Sequence, residues 1–463
     1  MPLTGALMQT HDDVLPRTLI LGLGKTGRAC ARYLRAKGIP FAIADSRAEP
    51  PELTAFQQEF PEVPCFLGGF DAAALAAAEE LIVSPGIPLA LPELRAAVDA
   101  GKAIYGDIEL FAREVTVPVV AITGTNGKST VTDMLGTMAV HCGLRVQVGG
   151  NIGTPVLELL PWARGETVDT TQLYVLELSS FQLETVSSLN ATAAVLLNLS
   201  EDHMDRYRNV KEYLAAKQRV FQGDGVVVLN RDDPLVAGLP LSGRQVIGFS
   251  LLPPAADDFG MSEVNGDSWL CHGNRQLMPV SELKLKGKHN YANALAALAL
   301  GHVFGMPEAG MLDALRGYAG LPHRTRWLGS FQGCDWYNDS KGTNVGATVA
   351  AVSGMDMPVV LIAGGDGKGA DFSPLSQLAG KLRGVVLIGR DGPRIGALLA
   401  SEVNTVYATD MAQAVQAAAA LAQPGDCVLL SPACASFDMF DNYEHRGREF
   451  ELQVRQHFGG SVG

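Results

Sequence analysis

The sequence predicts an α/β protein of three domains, each a mostly parallel sheet with flanking helices. Short apolar runs repeatedly end in turns rich in Gly, Ser or Asp, and helical periodicity follows these turns. This order is typical of strand–loop–helix units that build parallel sheets. The chain has 463 residues, and domains usually hold roughly 100–200 residues each. We place the three domains at residues 1–106, 107–320 and 321–463.

Composition and charge limit the possible classes of function. Apolar residues make up 47% of the chain, enough for full cores and too many for a disordered protein. The net charge of −13 argues against a nucleic-acid-binding or membrane-binding surface. No apolar run reaches the ~20 residues of a membrane span, and residues 1–16 do not resemble a signal peptide. Seven scattered cysteines without a C-x-x-C pair favour reduced thiols in the cytoplasm.

The first domain carries a glycine-rich turn after its first predicted strand. The apolar run 18–21 leads into a G-x-G-x-x-G pattern at residues 22–27. A second apolar run ends at Asp45, about 20 residues further on, as in the dinucleotide-binding fingerprint. One interpretation is an ordinary βαβ unit with a tight turn. The other is a turn that binds a diphosphate, with Asp45 accepting hydrogen bonds from a ribose or base.

The second domain contains the most informative motif, at residues 119–130. A β-branched run ends in the sequence Gly-Thr-Asn-Gly-Lys-Ser-Thr at 124–130, and helical spacing follows. Such a loop presents backbone N–H groups at a helix N-terminus, where phosphate binds. Lys128 would reach the terminal phosphates and Ser129 a Mg²⁺ ion, as in a P-loop. Ile122 stands where the standard motif has its first glycine. The alternative is a structural turn, but such a turn does not require Gly-Lys-Ser-Thr.

Two further strands of this domain are predicted to end in acidic residues. Glu177 follows the run 174–176, and the run 193–197 leads into an acidic segment that contains His203. Carboxylates at the carboxyl ends of parallel strands lie where α/β proteins bind ligands. Beside a Lys-Ser loop they predict a metal site, although a solvated acidic loop is the alternative for His203. The glycines around Asn151 predict a close approach to a ligand or an ordinary β-turn.

Lys217 lies on the apolar face of a helix predicted over residues 213–221. The commoner outcome for such a lysine is an ammonium that extends to water. The alternative is burial, which lowers the pKa of the amine and leaves part of it neutral. A neutral amine can take up CO₂ as a carbamate, an anion able to coordinate Mg²⁺.

The rest of this domain gives weaker signals. We predict a strand at 226–229, an irregular or hairpin segment at 250–267, and a helix at 294–303. His289 and Asn290 precede that helix, and the structural interpretation is that they cap its N-terminus.

The third domain shows polar strand ends. Predicted strands at 336–338, 359–363, 385–388 and 427–430 are followed by polar residues at 339–344, 364–369 and 431–437. Lys, Thr, Ser and Asp at three strand ends predict a binding edge. The domains are therefore expected to be Rossmann-like, P-loop-type and Rossmann-like, in chain order.

Together these motifs resemble the Mur ligase family, the ATP-dependent amino-acid ligases of peptidoglycan synthesis. The resemblance covers nearly the whole chain. It rests on the order and spacing of residues 124–130, 149–153, 177–183, 201–207, 289–293, 321–324, 339–344, 364–368 and 431–436. Within the family, the chain is most similar to members that add D-glutamate to UDP-N-acetylmuramoyl-L-alanine through an acyl phosphate. The resemblance implies a cytoplasmic monomer whose domains bind UDP-sugar, ATP and amino acid in that order.

The resemblance also implies roles for individual residues. ATP would be bound by Gly124, Thr125, Asn126, Gly127, Lys128, Ser129, Thr130, Asn290, Asn293, Arg324 and Asp339. Two Mg²⁺ ions would be held, one by Ser129 and Glu177 and one by His203 and carbamylated Lys217. The UDP-sugar would be bound by Gly24, Thr26, Asp45, Ser46, Arg47, Asn151 and His203. D-Glutamate would be bound by Lys341, Thr343, Ser436 and Phe437. Catalysis would depend on Lys128, His203 and Lys217.

Two positions are less well defined by the resemblance. Asp366 and Lys368 resemble a second pair on the nucleotide side. At Gly342, where this chain has glycine, members of the family often have alanine.

Other functions fit parts of the sequence. Another Mur-type ligase would use a different amino acid, and the residues alone do not determine the handedness of glutamate. An NAD(P)-dependent oxidoreductase would use residues 22–27 and Asp45, but it leaves the 124–130 loop and Glu177 without a purpose. An ATPase that switches conformation would not explain the polar strand ends of the third domain.

Overall fold

The computed structural model describes residues 16–285 and 287–459, which form three sheets with flanking helices. The sheets are mostly parallel, which confirms the predicted α/β class. Within these ranges no helix combines the length and apolarity needed to cross a membrane. The prediction about a signal peptide concerns residues 1–16. Of these, residues 1–15 lie outside the described ranges.

The first sheet is fully parallel, with strand order β3-β2-β1-β4-β5. Its strands are β1 Thr18–Leu21, β2 Phe41–Asp45, β3 Cys65–Leu67, β4 Glu80–Val83 and β5 Ala103–Tyr105. Its helices are α1 Lys25–Ala36, α2 Leu53–Glu59, α3 Ala72–Ala77 and α4 Pro92–Asp99. The strand order changes direction beside β1, so the glycine-rich turn after β1 lies where α/β sheets bind ligands.

The second sheet has nine strands in the order β14-β13-β12-β11-β10-β9-β6-β8-β7. They are β6 Val119–Thr123, β7 Val146–Gly150, β8 Leu173–Glu177, β9 Ala193–Leu196, β10 Val226–Asn230, β11 Val246–Phe249, β12 Phe259–Val264, β13 Asp267–His272 and β14 Arg275–Pro279. The accompanying helices are α5 Asp107–Glu114, α6 Lys128–His141, α7 Ser180–Leu183, α8 Val210–Gln218, α9 Pro234–Ala237, α10 Lys288–Val303 and α11 Glu308–Gly317. Only β12 to β14 pair antiparallel, at one edge of the sheet.

The third sheet has the order β15-β16-β20-β17-β18-β19. Its strands are β15 Arg326–Phe331, β16 Cys334–Asn338, β17 Val359–Gly364, β18 Leu382–Ile388, β19 Thr405–Tyr407 and β20 Cys427–Leu430. Its helices are α12 Val345–Ser353, α13 Gly392–Leu399, α14 Met411–Leu421 and α15 Tyr443–Phe458. The strand β15 pairs antiparallel with β16, and the other strands are parallel.

One hydrophobic core is continuous between the first and second sheets. It joins Ile20 and Phe56 of the first domain to Phe111, Tyr174 and Leu196 of the second. The phenyl ring of Phe111 packs edge-on against Tyr174, with ring centroids 5.1 Å apart. The third domain has two separate cores, whose buried members lie between residues 328 and 454. The third sheet is therefore packed independently of the other two.

Several predicted elements differ in extent from the observed ones. In the segment 250–267, residues 250–258 form neither helix nor strand, and the predicted hairpin begins with β12 at Phe259; two hairpins continue to Pro279. The helix that carries Lys217 begins at Val210, where the Asn209 side chain caps it, and a 3₁₀ turn follows Gln218. The short strands β3, β5, β11, β14, β15 and β19 were not predicted.

Candidate active site

The predicted phosphate loop forms a strand–loop–helix unit. β6 ends at Thr123, and α6 begins at Lys128. The φ of Gly127 is 82°, and a Cβ there would lie 2.5 Å from Asn293 Oδ1, so glycine allows a close approach to α10. Because the first N–H groups of a helix lack intrahelical partners, the N-terminus of α6 is suited to an anion.

The Lys128 side chain folds back over this loop. Its ammonium donates to the backbone oxygens of Gly124 at 2.9 Å and Thr125 at 2.8 Å. Burial lowers the pKa of Lys128, and the nearby Arg324 lowers it further while Glu177 raises it. Within the part of the chain that the structure describes, the hydrogen bonds of this amine go to backbone carbonyls of the phosphate loop, a position from which it can reach a bound phosphate.

Glu177 is the centre of a buried hydrogen-bond network at the end of β8. Its side chain is 1% exposed. One carboxylate oxygen accepts from Ser129 Oγ at 2.5 Å and the other from Asn151 Nδ2 at 2.7 Å. Arg324, from the third domain, donates to Ser129 Oγ at 2.6 Å. The structure thus brings together the predicted metal ligands Ser129 and Glu177 with residues predicted for the sugar and the nucleotide.

Lys217 is buried, so its ammonium does not extend to water. Its side chain is 1% exposed, and Nζ donates to Gly124 O at 2.8 Å. Nζ also lies 4.7 Å from the centroid of the Tyr213 ring. Burial, reinforced by the charge of Lys128, holds the pKa of Lys217 well below its ordinary value. This is the environment that the carbamate hypothesis requires.

His203 lies in the segment after β9, with a left-handed φ of 58°. Its ring centroid is 4.7 Å from that of Phe181 and 6.2 Å from that of Tyr213. Burial lowers the pKa of His203, and the charge of Lys217 lowers it further while Asp202 raises it. In the described part of the chain, no three His, Cys, Asp or Glu side chains form a metal-binding group.

A cavity of about 320 Å³ lies between the second and third domains. It is lined by most of the residues predicted for the nucleotide: Asn126, Gly127, Thr130, Asn290, Asn293, Arg324 and Asp339. Lys341 and the unpredicted residues Asn198, His289 and Thr325 also line it. The N-cap of α10 is Gly287, without a side-chain cap, so the N-cap interpretation of His289 and Asn290 is wrong. Both residues lie in the first turn of that helix instead.

In the first domain, the Asp45 carboxylate bonds to the protein itself. It is 2% exposed, and it accepts from Leu23 N at 2.7 Å and from Arg47 Nη2 at 2.7 Å. Burial raises the pKa of Asp45, but hydrogen bonds from Arg47 and Leu23 outweigh burial and hold this pKa below its ordinary range. Asp45 thus fixes the glycine-rich turn and orients Arg47. Gly24 lies on that turn, Thr26 lies in the first turn of α1, and Ser46 and Arg47 are exposed nearby.

The residues predicted for glutamate lie at the carboxyl edge of the third sheet. Lys341 Nζ is 3.8 Å from the centroid of the Tyr443 ring, and burial lowers its pKa to about 8. Ser436 is buried, and Phe437 is 67% exposed. Thr343 follows Lys341 on the same loop. Asp366 forms an ion pair with Arg390 at 3.2 Å, and Lys368 Nζ lies 5.6 Å from the Phe437 ring centroid.

Family models match the chain in three segments. Residues 16–106 match a Mur ligase MurD-like N-terminal domain, residues 122–301 a Mur ligase middle domain, and residues 323–434 a Mur ligase glutamate ligase domain. A UDP-N-acetylmuramoylalanine--D-glutamate ligase of Nitrosococcus oceani is 52% identical over 449 residues, covering 96% of this chain and 98% of the relative. The chain belongs to the Mur ligase family. A Pseudomonas aeruginosa protein of the same name is 50% identical, covering 95% of this Mur ligase and 97% of the relative.

Solved structures of other Mur ligases share the fold. MurF from Acinetobacter baumannii superposes with a TM-score of 0.60 at 16% identity, covering 96% of this chain and 91% of that one. MurF from Thermotoga maritima, solved in complex with ADP, gives a TM-score of 0.59 at 15% identity, with coverage of 96% and 100%. At such identities the comparison supports the three-sheet architecture of this Mur ligase.

Sequence patterns missed a buried arginine of this Mur ligase. Arg446, in α15, is fully buried and donates to Ser340 Oγ, Ser340 O and Cys434 O at 3.0, 2.8 and 3.1 Å. It joins the loop that carries Lys341 to the loop that carries Ser436. Burial lowers the pKa of Arg446 to about 10. Its place in an otherwise amphipathic helix gave no signal of this role.

Gly342 has a packing role in this Mur ligase. A Cβ at this position would lie 2.6 Å from Asp339 Oδ2 and 2.7 Å from Ser431 Oγ. Because such contacts are too close, an alanine here requires the neighbouring side chains to move. The glycine allows Ser431 Oγ to donate to Asp339 Oδ2 at 2.7 Å.

Asp339 is expected to make the stability of this Mur ligase depend on pH. Burial raises its pKa to about 6, against ~3.9 in an unfolded chain. Between these values the folded protein binds more protons, so the free energy of unfolding falls as pH rises, by up to about 3 kcal/mol. Asp339→Asn should remove this contribution and reduce the loss of stability between pH 4.5 and 7.

Urea unfolding at both pH values measures the effect. The exposed Asp313→Asn serves as a control. An Asp339→Asn protein with the pH dependence of the wild type would contradict the assignment.

Proposed function

We propose that the protein joins D-glutamate to UDP-N-acetylmuramoyl-L-alanine at the expense of ATP, forming ADP and phosphate. The observation that carries this proposal is sequence identity. About half of the positions, over nearly the full chain, are identical to those of relatives named for that reaction. The geometry agrees, because residues of the phosphate loop and the cationic Lys341 line one interdomain cavity, and the buried Glu177 carboxylate is bonded to Ser129 of that loop.

The reaction requires an activated carboxylate. A carboxylate does not acylate an amine directly, so the alanine carboxylate takes the γ-phosphoryl group of ATP and becomes an acyl phosphate. The glutamate amine then attacks the acyl carbon, and phosphate leaves. Negative charge concentrates at the transferred phosphoryl group, so fixed cations and N–H donors lower the barrier. Lys128 and the α6 N-terminus would supply this stabilisation.

The residues present fit one Mg²⁺ ion at Ser129 and Glu177. Both offer oxygen atoms, which Mg²⁺ prefers, and they are already in contact at 2.5 Å. A second ion at His203 and carbamylated Lys217 also forms part of the proposal. When bound, the ions would neutralise charge on the phosphate oxygens. Asn151, bonded to Glu177, would orient the sugar substrate beside them.

The amino-acid site suits a dicarboxylate. Lys341 supplies a cation, and Thr343 and Ser436 supply hydroxyl donors, which bind carboxylates well. Lys341 Nζ lies over the Tyr443 ring, and among the described residues no carboxylate forms an ion pair with it, so it can pair with a ligand. We further propose a monomer acting in the cytoplasm, where ATP and nucleotide-sugars are available, with domains divided near residues 107 and 320.

Phosphate release tests the proposal. The purified protein is mixed with ATP, MgCl₂ and UDP-N-acetylmuramoyl-L-alanine, and amino acids of both hands are added one at a time. We expect rapid release with D-glutamate only. Release with a different amino acid would indicate another Mur-type ligase, and release without any amino acid would indicate a switching ATPase. A change in NADH fluorescence on mixing would favour the oxidoreductase.

A further inference from the structure

Arg206 joins the second domain to the first. It lies three residues after His203, in the segment 201–209, which forms neither helix nor strand. Its side chain is only 10% exposed. Sequence patterns gave it no role.

The guanidinium makes hydrogen bonds on both sides of the domain boundary. Within the second domain, Nε and Nη2 donate to the two carboxylate oxygens of Glu184, at 3.2 and 2.5 Å. Across the boundary, Nη1 donates to Pro85 O at 2.8 Å and Nη2 to Ile87 O at 3.3 Å. A planar fork with several donors can make these bonds at once, whereas a lysine ammonium cannot reproduce this geometry.

On the first-domain side, Arg206 holds a loop that packs against the glycine-rich turn. Ser84, next to Pro85, donates through Oγ to Gly22 O at 3.1 Å. A Cβ on Gly22 would lie 2.8 Å from Ser84 Cβ, so the loop and the turn are in direct contact. A ligand that orders the turn would therefore also order the Pro85 and Ile87 carbonyls, to which Arg206 donates hydrogen bonds.

On the second-domain side, Arg206 contacts His203 by two routes. Its backbone N–H donates to His203 O at 2.9 Å. Its guanidinium carbon lies 4.1 Å from the centroid of the Phe181 ring, which in turn lies 4.7 Å from the His203 ring centroid. The Arg206 backbone thus bonds to the His203 backbone, and the guanidinium packs on the ring against which the His203 ring lies.

We propose that Arg206 is a positioning residue that couples occupancy of the first domain to the placement of the His203 segment. This inference rests on the proposed function. The UDP part of the substrate is remote from the reacting carboxylate. Its binding energy would order the reacting centre, because Arg206 links the two regions. Arg206 lies in the same segment as His203 and bonds to the loop at residues 85–87. Its effect on the reaction would pass through these two elements.

Hydrogen exchange tests the coupling without requiring turnover. UDP-N-acetylmuramoyl-L-alanine, without ATP, is added to the wild type, Arg206→Lys and Arg208→Gln. Arg208 is the matched control, because it is two residues away, its side chain is 88% exposed, and it pairs with Glu212 on the surface. In the wild type and the control, exchange should slow in peptides covering 84–88 and 201–207. In Arg206→Lys, it should slow at 84–88 only.

Steady-state kinetics give a second readout. With the full substrate, Arg206→Lys should lower kcat by about 100-fold, as expected for a misplaced reacting group. With N-acetylmuramoyl-L-alanine 1-phosphate, which lacks the uridine part, the wild type and Arg206→Lys should differ little. A purely structural role would lower both activities together and would also lower the melting temperature.

Two results with Arg206→Lys would overturn the inference. One is protection of residues 201–207 in Arg206→Lys equal to that in the wild type, and the other is equal kinetic losses with both substrates. Wild-type protein that shows no protection by the UDP-sugar would also count against it. Failure of the proposed function is distinguishable, because then the wild type itself would release no phosphate with D-glutamate.

Discussion

Glu177→Gln is expected to reduce phosphate release by roughly 10²–10³-fold while the protein still folds. Both carboxylate oxygens of Glu177 accept hydrogen bonds, one from Ser129 and one from Asn151. A glutamine can keep its oxygen toward Asn151 and direct its NH₂ to the Ser129 hydroxyl, which has lone pairs to accept it. The substitution keeps the shape of the side chain and removes the negative charge that would hold Mg²⁺.

The expected cost in stability is smaller than the cost in activity. Changing one buried hydrogen bond costs about 1–3 kcal/mol, so the melting temperature should fall by a few degrees only. Phosphate release is measured over a range of Mg²⁺ concentrations, with the exposed Glu263→Gln as a control. Normal activity of Glu177→Gln at low Mg²⁺ would show that this carboxylate does not bind the ion.

Lys217→Arg is expected to lose nearly all ligase activity. The site is enclosed, and Lys217 Nζ lies 2.8 Å from Gly124 O. A guanidinium remains charged at neutral pH and cannot become a carbamate, and the larger group would also cost about 1–3 kcal/mol of stability through overpacking. Lys217→Ala removes that strain, so it should fold and remain inactive. Small added carboxylates are expected to restore part of its activity.

Labelling with ¹³C-bicarbonate tests the carbamate directly. The wild type should show a carbamate carbon signal in its NMR spectrum, and Lys217→Arg should not. Lys211→Arg is the control, because Lys211 lies on the same helix and is exposed. It should keep both the signal and the activity. Substantial activity in Lys217→Arg, or no signal in the wild type, would leave Lys217 as a packed lysine only.

Local patterns predicted the strand ends well, because buried parallel strands are short apolar runs bounded by turns. The loop at 124–130 and Glu177 are examples, since each follows such a run directly. The hairpins of β12 to β14 were only partly predicted, although Asn265-Gly266 separates β12 from β13 by two residues. Both have positive φ, 53° and 87°, as this turn type requires. That dipeptide was the signal that could have located the hairpin.

Contacts between distant segments could not be predicted. Arg206 and Arg446 are polar residues whose bonds go to backbone carbonyls far along the chain. Hydrophobic periodicity describes which face of an element is buried, and it carries no information about such partners. Asp45 was correctly placed at a strand end. Its hydrogen bonds to Leu23 and Arg47 depend on side-chain geometry that spacing alone does not determine.

The hydrophobic core shared by the first two domains affects how many thermal unfolding transitions the protein should show. Phe111 and Tyr174 pack into the same apolar cluster as Ile20 and Phe56, so removing either domain would expose apolar surface of the other. The third domain keeps its own two cores. Cooperative units of unfolding follow such contiguous packing. Calorimetry should therefore resolve two transitions rather than three, and a ligand that bridges the cavity should bring their temperatures together.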